Sequence, residues 1–299
     1  MKYFESINSV NEYFNIKSQH PLIDLRKYSE IIPPTPRKIE PMIFDFYKIS
    51  FVKNFNGYLK YGKTKFSGGD GVLYFVEPGQ QYSCTSTNLW DGFQILIHPD
   101  IYNKYLSEKN INTYSFFSYE VNESLLLTKD EEKSISYLMN EAWNEINKTN
   151  DEYSIPIVLS YLSTLLNKTD RFYSRQFNSR KTLCNHLSGE FYKQLKNYYK
   201  STSTISNKEQ PSVLYFANKL NVTPNYLSDV IKHHSGKSAL NNIHDYIIEE
   251  AKALLITSGR TVAEISYILG FEYPNYFSRL FKKKTKLTPS DYRKSVKSL

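Results

Sequence analysis

The sequence predicts an α+β chain. A small antiparallel β-barrel or sandwich with helices fills the N-terminal half, and an all-α C-terminal domain of two helix-turn-helix units joined by a long helix follows. Three observations predict this. Residues 42–98 consist of β-branched and aromatic runs separated by Gly- and Pro-containing breaks. From residue 128 onward apolar residues recur at helical intervals. The string PNYLS at 224–228 returns fifty residues later as PNYFS at 274–278.

The strand signals come first along the chain. Residues 1–40 are mixed and lead into IIPPTPRKIEP (31–41), whose prolines exclude regular helix. MIFDFYKISFV (42–52), GYLKYG (57–62), GVLYFV (71–76) and GFQILIHP (92–99) then read as short strands. Asn56-Gly57, Gly68-Gly69-Asp70-Gly71 and Pro78-Gly79 separate them. Short strands at this spacing suit a small barrel or sandwich.

The period changes beyond residue 100. Thr128 and Glu131 have the spacing of a capping box, which satisfies two orphan N–H groups at a helix start. Ile135, Leu138, Ala142 and Ile146 follow on one helical face. A second helix carries Val158, Leu162, Leu165 and Leu166, and a third carries Leu187, Phe191, Leu195 and Tyr198. STSTISNKEQPS (201–212) reads as a hinge or loop.

Two similar units close the sequence. In the first, Ser212 is placed to cap a helix from Val213 to Leu220, and Asn221 turns the chain. Thr223 then caps a second helix that opens with Pro224, where a missing N–H costs nothing. Leu227, Val230 and Ile231 form its apolar stripe; Asn225, Ser228, Asp229 and Lys232 lie opposite. In the second unit Thr261 and Glu264 make a capping box for Val262–Leu269, and Gly270 turns the chain. The next helix buries Phe277, Leu280 and Phe281 and presents Asn275, Ser278, Arg279 and Lys282. Small residues, Ala217 and Ser266, stand four positions before each turn and let the two helices cross closely.

Residues 239–257 join the units as one amphipathic helix, with Leu240, Ile243, Ile247, Leu254 and Leu255 on one side and Gly259 as its expected C-cap. Nineteen residues span about 28 Å. One turn of B-DNA is about 34 Å. The connector therefore has the right order of length to set two reading helices into successive major-groove segments. A stiff, slightly short connector would bend the duplex at a cost of a few kcal/mol.

Charge supports a polyanion partner. Residues 1–182 hold 21 Lys+Arg and 21 Asp+Glu, whereas residues 183–299 hold 17 and 9, so the whole surplus of +8 falls on the segment with the paired units. Asn225, Ser228, Asp229, Asn275, Ser278 and Arg279 are the base-reading candidates; Arg279 is the best placed, since Arg can bind guanine O6 and N7 together. Lys232, Lys282, Lys283 and Lys284 are the phosphate candidates. Asp229 has two readings. It accepts from a cytosine amino group, or it pairs along its own helix with Lys232 or a protonated His233.

The remaining signals bound the function class. No stretch has the ~20 apolar residues of a membrane span, and the start has no apolar h-region, so a cytoplasmic protein is expected. Cys84 and Cys184 lack CxxC spacing and read as reduced thiols. Glycine-rich phosphate cradles and GxSxG elbows are missing. None of the six histidines lies between residues 42 and 97, so a metal site among the strands is not expected, and neither is any cofactor. Phe44, Phe46, Tyr47, Phe75 and Phe93 are either core or the wall of a small-molecule effector pocket.

The tail AEISYILGFEYPNYFSRLFKKKTKLTPSDYRK (263–294) carries the elements IxYxxGF, YFSRxFKK and TPxxYR. With these, residues 185–299 resemble the DNA-binding domain of AraC/XylS-type transcription regulators. The resemblance implies that residues 183–299 are a double helix-turn-helix DNA-binding domain. It also implies a cupin-like regulatory domain at 1–125 and helices for dimerisation at 126–182. The expected protein is an effector-responsive activator that acts as a homodimer on double-stranded DNA and meets RNA polymerase. A constitutive or architectural DNA-binding protein is the alternative, with a cupin-type enzyme behind it. Lys286 departs from the family, which usually has Gly there to ease a left-handed turn.

Overall fold

A computed structural model of the protein describes residues 1–31, 41–53, 58–61, 64–67, 71–85, 91–105, 111–120, 123–148, 151–179, 181–200 and 211–297. The chain divides into two compact units, Met1–Ser179 and Arg180–Leu299. The expected turns at Asn56-Gly57 and Gly68–Asp70, and all of the expected loop but Pro211 and Ser212, lie outside the described residues.

The first unit holds β1 (Lys2–Phe4), α1 (Ile7–Tyr13), β2 (Ile23–Lys27), β3 (Met42–Phe44), β4 (Tyr47–Lys53), β5 (Tyr58–Tyr61), β6 (Thr64–Ser67), β7 (Val72–Val76), β8 (Gln81–Thr85), β9 (Asp91–Ile97), α2 (Asp100–Tyr105), β10 (Leu125–Leu126), α3 (Lys129–Ile146) and α4 (Ser154–Ser179). The strands form two five-stranded sheets, ordered β1-β3-β8-β5-β6 and β10-β7-β4-β9-β2. Among the described residues neither sheet closes on itself, so the barrel alternative gives way to two open sheets. The reason lies in the run 42–52, which breaks at Asp45-Phe46 and delivers β3 to one sheet and β4 to the other. Tyr3 donates to the Asp45 carboxylate (2.5 Å) and the Asp45 N–H bonds Phe4 O (3.1 Å), so the break has its own hydrogen bonds.

Alternation places the core. Phe4, Met42, Phe44 and Tyr82 from one sheet meet Val52, Val72, Tyr74, Val76 and Leu96 from the other, with Phe46 buried in the same cluster. Ile23, Leu25 and Ile95 turn the opposite way and meet Leu138, Met139 and Ala142 of α3 and Val158, Leu162 and Leu165 of α4. The gap left among these side chains is about 10 Å³, room for one water at most. The apolar stripes of α3 and α4, expected to make a dimer surface, are thus occupied inside their own unit. The Thr128 capping box forms as the spacing predicts, with Glu131 N–H reaching Thr128 Oγ1 (3.3 Å) and Thr128 N–H reaching Glu131 Oε2 (2.9 Å).

The second unit is helical: α5 (Lys181–Lys200), α6 (Val213–Leu220), α7 (Pro224–Ser235), α8 (Ala239–Thr257), α9 (Val262–Ile268), α10 (Pro274–Thr285) and α11 (Pro289–Lys297). One core runs through it. Ile243, Ile247, Ile248, Ala251 and Leu255 of α8 join Phe191 and Leu195 of α5, Phe216 and Ala217 of α6, Leu227 and Ile231 of α7, Ile265 of α9, and Phe277 and Phe281 of α10. Two expectations fail here. Leu240, placed on the apolar side of α8, is exposed. Gly259 does not cap α8; Ser258 does, with its N–H (3.1 Å) and its hydroxyl (2.6 Å) both on Leu254 O.

Lys286 occupies the left-handed conformation at the C-cap of α10, φ 68°, where Gly236 at the end of α7 has φ 74°. A side chain pays a steric penalty there that glycine avoids. Lys286→Gly is expected to raise stability by up to about 1 kcal/mol. Urea unfolding would show it as a higher midpoint at unchanged slope.

Candidate nucleic-acid interface

The second unit repeats one construction twice, down to individual hydrogen bonds. Ser212 and Thr261 N-cap α6 and α9 by accepting from Tyr215 N–H (3.1 Å) and Glu264 N–H (3.2 Å). Thr261 N–H returns a bond to the Glu264 carboxylate (2.6 Å) and holds that carboxyl below its ordinary range. Ala217 and Ser266 are fully buried where the helices cross. Asn221 (φ 55°) and Gly270 (φ 85°) then reverse the chain in the left-handed region. The next N–H, of Val222 or Phe271, bonds back to Ala217 O or Ser266 O, at 3.1 Å in both copies.

The copies differ by one residue in the turn. Thr223 ends the first turn and caps α7 through Tyr226 N–H (3.2 Å). The second turn holds one residue more, so its N-cap is Tyr273, which makes no side-chain capping bond and is exposed. From Pro224 and Pro274 on, the offset is fifty residues. Ser235 Oγ donates to Ile231 O and accepts from Lys237 N–H; Thr285 Oγ1 donates to Phe281 O and accepts from Leu287 N–H. Ser238 and Thr288 then open the following helices, α8 and α11, by accepting from Asn241 and Asp291 N–H. The duplication therefore runs through the start of α11, further than the motif strings reveal.

This construction fixes which face of α7 and α10 turns outward. Leu227 and Ile231, like Phe277 and Phe281, are fully buried. Asn225, Lys232, Asn275, Arg279, Lys282 and Lys283 are exposed, and Ser228, Asp229 and Ser278 are half-buried at the edge of the same face. Asn, Ser and Lys recur at equivalent positions, 225/275, 228/278 and 232/282; where the first copy has the acid Asp229, the second has the base Arg279. The Arg279 guanidinium lies 5.9 Å from the Tyr276 ring centroid. Tyr276 is exposed beside Arg279 on this face, although nothing in the sequence pattern singles out an aromatic there. Lys284 differs from the other lysines. Its ammonium bonds the Asp245 carboxylate of α8 at 2.7 Å.

The charge follows the division of the chain. Unit Arg180–Leu299 holds 19 Lys+Arg against 9 Asp+Glu, and unit Met1–Ser179 holds 19 against 21. Polyanion attraction thus belongs to the helical unit.

The five aromatic pocket candidates are not brought together. Phe44 and Phe46 pack between the sheets, 5.2 Å apart by ring centroid. Tyr47 and Phe75 lie on the other face of their sheet, against Phe117 at 4.9 and 5.0 Å. Phe93 pairs across the strands with Phe51 and Lys27. Phe44, Phe46, Phe75 and Phe93 are buried and act as core. Among the described residues no cluster of three His, Cys, Asp or Glu could hold a metal. No helix among them is long and apolar enough to cross a membrane.

Residues 216–295 match the family model described as helix-turn-helix domain. The chain is 34% identical over 99 residues to histidine kinase P4 of Formosa agariphila, covering 33% of this chain and 7% of the kinase. It is 39% identical over 75 residues to the uncharacterized HTH-type transcriptional regulator YobQ of Bacillus subtilis, covering 25% and 31%. It is 38% identical over 72 residues to the arabinose operon regulatory protein of Escherichia coli, covering 24% and 25%. The chain thus spans less than a third of the length of each of these curated relatives, and the shared part is a module.

Proposed function

We propose that this chain, whose C-terminal segment is an AraC-type helix-turn-helix domain, is a DNA-binding transcription regulator that reads two successive major-groove segments with α7 and α10. One observation carries the reading: two helices fifty residues apart present the same Asn, Ser and Lys positions outward over the same buried stripe. Helix faces built this way fit the major groove, where Asn and Arg discriminate bases and Lys neutralises phosphates. Asn225, Ser228, Asp229, Asn275, Ser278 and Arg279 are assigned to bases, and Lys232, Lys282 and Lys283 to phosphates.

The salt dependence of duplex binding tests this. Each lysine that neutralises a phosphate adds about 0.9 to the slope of log K against log salt. A slope near zero would remove the electrostatic half of the reading.

The rest of the reading follows from the sequence resemblance. Residues 1–125 are assigned as a cupin-like effector domain built on the two sheets, residues 126–182 as helices that dimerise through faces other than the apolar stripes packed inside the unit, and the protein as an activator that acts as a homodimer at RNA polymerase. Thermal unfolding of the full chain against pools of small metabolites tests the effector. A pool that raises the first unit's transition supports it; broad pools without effect favour constitutive DNA binding.

A further inference from the structure

A repeated module cannot set the distance to its own repeat. That falls to features that occur once: the α8 core, which packs against both copies, and the polar contacts beside it. Asp245, on the second turn of α8, is such a feature. Its carboxylate accepts from Lys237 Nζ at 2.6 Å and from Lys284 Nζ at 2.7 Å. Lys237 sits in the turn between α7 and α8, and Lys284 is in the last turn of α10. The positions fifty residues after Lys237 and Asp245 are Leu287 and Ser295, and the position fifty before Lys284 is His234, so the arrangement is not duplicated.

The surroundings support a structural hub. Burial pushes the Asp245 carboxyl up, but the bonds from Lys237 and Lys284 outweigh it and hold the group below its ordinary range. One turn earlier, Asn242 Nδ2 bonds Ser235 Oγ (2.9 Å) and the carbonyls of Lys237 and Ser238 (3.0 Å each), while its Oδ1 accepts from Tyr192 of α5 (2.9 Å). Asn242 ties α8 to the first copy; Asp245 alone among these reaches the second.

We infer that Asp245 is a positioning residue that locks α10 to the α7–α8 junction and so sets the spacing at which both helices engage DNA. The inference rests on the DNA reading proposed above. Lys284 is then a structural partner first, which removes it from the phosphate contacts expected from sequence.

The test uses the full chain and a duplex carrying both selected elements, with one to three base pairs inserted between them. Each insertion rotates the second element by about a tenth of a turn. Wild type is expected to lose affinity steeply. Asp245→Asn should bind the natural spacing about tenfold more weakly, the loss expected from two partly exposed ion pairs, with a flattened spacing profile and unchanged binding to one element alone. Asp245→Glu, which keeps the charge, should retain the preference. An Asn variant with the wild-type profile and affinity overturns the inference. So does an equal change on every duplex, which would mark Lys284 as a phosphate ligand and no more. Should Asp245→Asn fail to fold, Lys237→Met, at a largely exposed side chain, must show the same flattening to a smaller degree; an unchanged profile there also overturns it. If wild type itself prefers no two-element duplex, the DNA reading fails before Asp245 is reached.

Discussion

Arg279→Ala is expected to relax preference at one base pair of the second element by about 1–3 kcal/mol, the worth of a bidentate contact to guanine. Lys283→Ala should instead weaken all duplexes alike and lower the salt slope by about one. The two residues stand four apart on α10, both exposed, so the contrast isolates chemistry from position. Arg279 has a planar fork and lies 5.9 Å from the Tyr276 ring centroid. Lys283 is a flexible point charge. The equivalent of Arg279 in the first copy is Asp229, which can accept a hydrogen bond where Arg donates. The two elements should accordingly resemble each other except at this position, guanine in one and cytosine in the other. Competition binding with each base substituted in turn would show it. Loss of affinity in both variants with no change in preference would break the division between base and phosphate contacts.

Phe281→Ala is expected to destabilise the helical unit by about 3–5 kcal/mol. Phe281 is fully buried and meets Phe277 at 5.8 Å and Tyr292 at 5.5 Å by ring centroid, so it joins α10 to α11 as well as to the α8 core. Its truncation leaves a cavity that those flanking rings cannot fill without leaving their rotamers. The substitution removes no polar atom from the outward face. DNA binding lost by Phe281→Ala should therefore return on cooling toward about 10–20 °C, where stability is greatest, or on addition of a stabilising osmolyte, whereas the changed preference of Arg279→Ala should persist. Calorimetric unfolding alongside binding separates the two.

The helical unit was largely legible in the sequence because its signals are local. Capping residues, the turn at Asn221, Pro224 and Pro274 at first helical positions, and the 3.6-residue stripes all act within a few residues of themselves. The spans of α6, read as 213–220, and α8, read as 239–257, agree with the structure to the residue. The face of α10 was visible for the same reason. What escaped was set by distance along the chain. Asp245 binds a lysine thirty-nine residues away, which no periodicity reveals. Lys284 looked like the lysines beside it for that reason. In the first unit β1, β2 and β8 went unread because their sequences are short or polar and gain their place by pairing with distant strands. The run 42–52 read as one strand because Asp45-Phe46 carries no Gly or Pro to announce the crossing between sheets.

Selection of full-chain ligands from random duplex DNA tests the central claim most directly. Two related elements, centred about one helical turn or 10–10.5 base pairs apart, should emerge, with both copies needed for full affinity. Enrichment of one isolated element, of paired elements at arbitrary separation, or of no sequence at all would contradict the account.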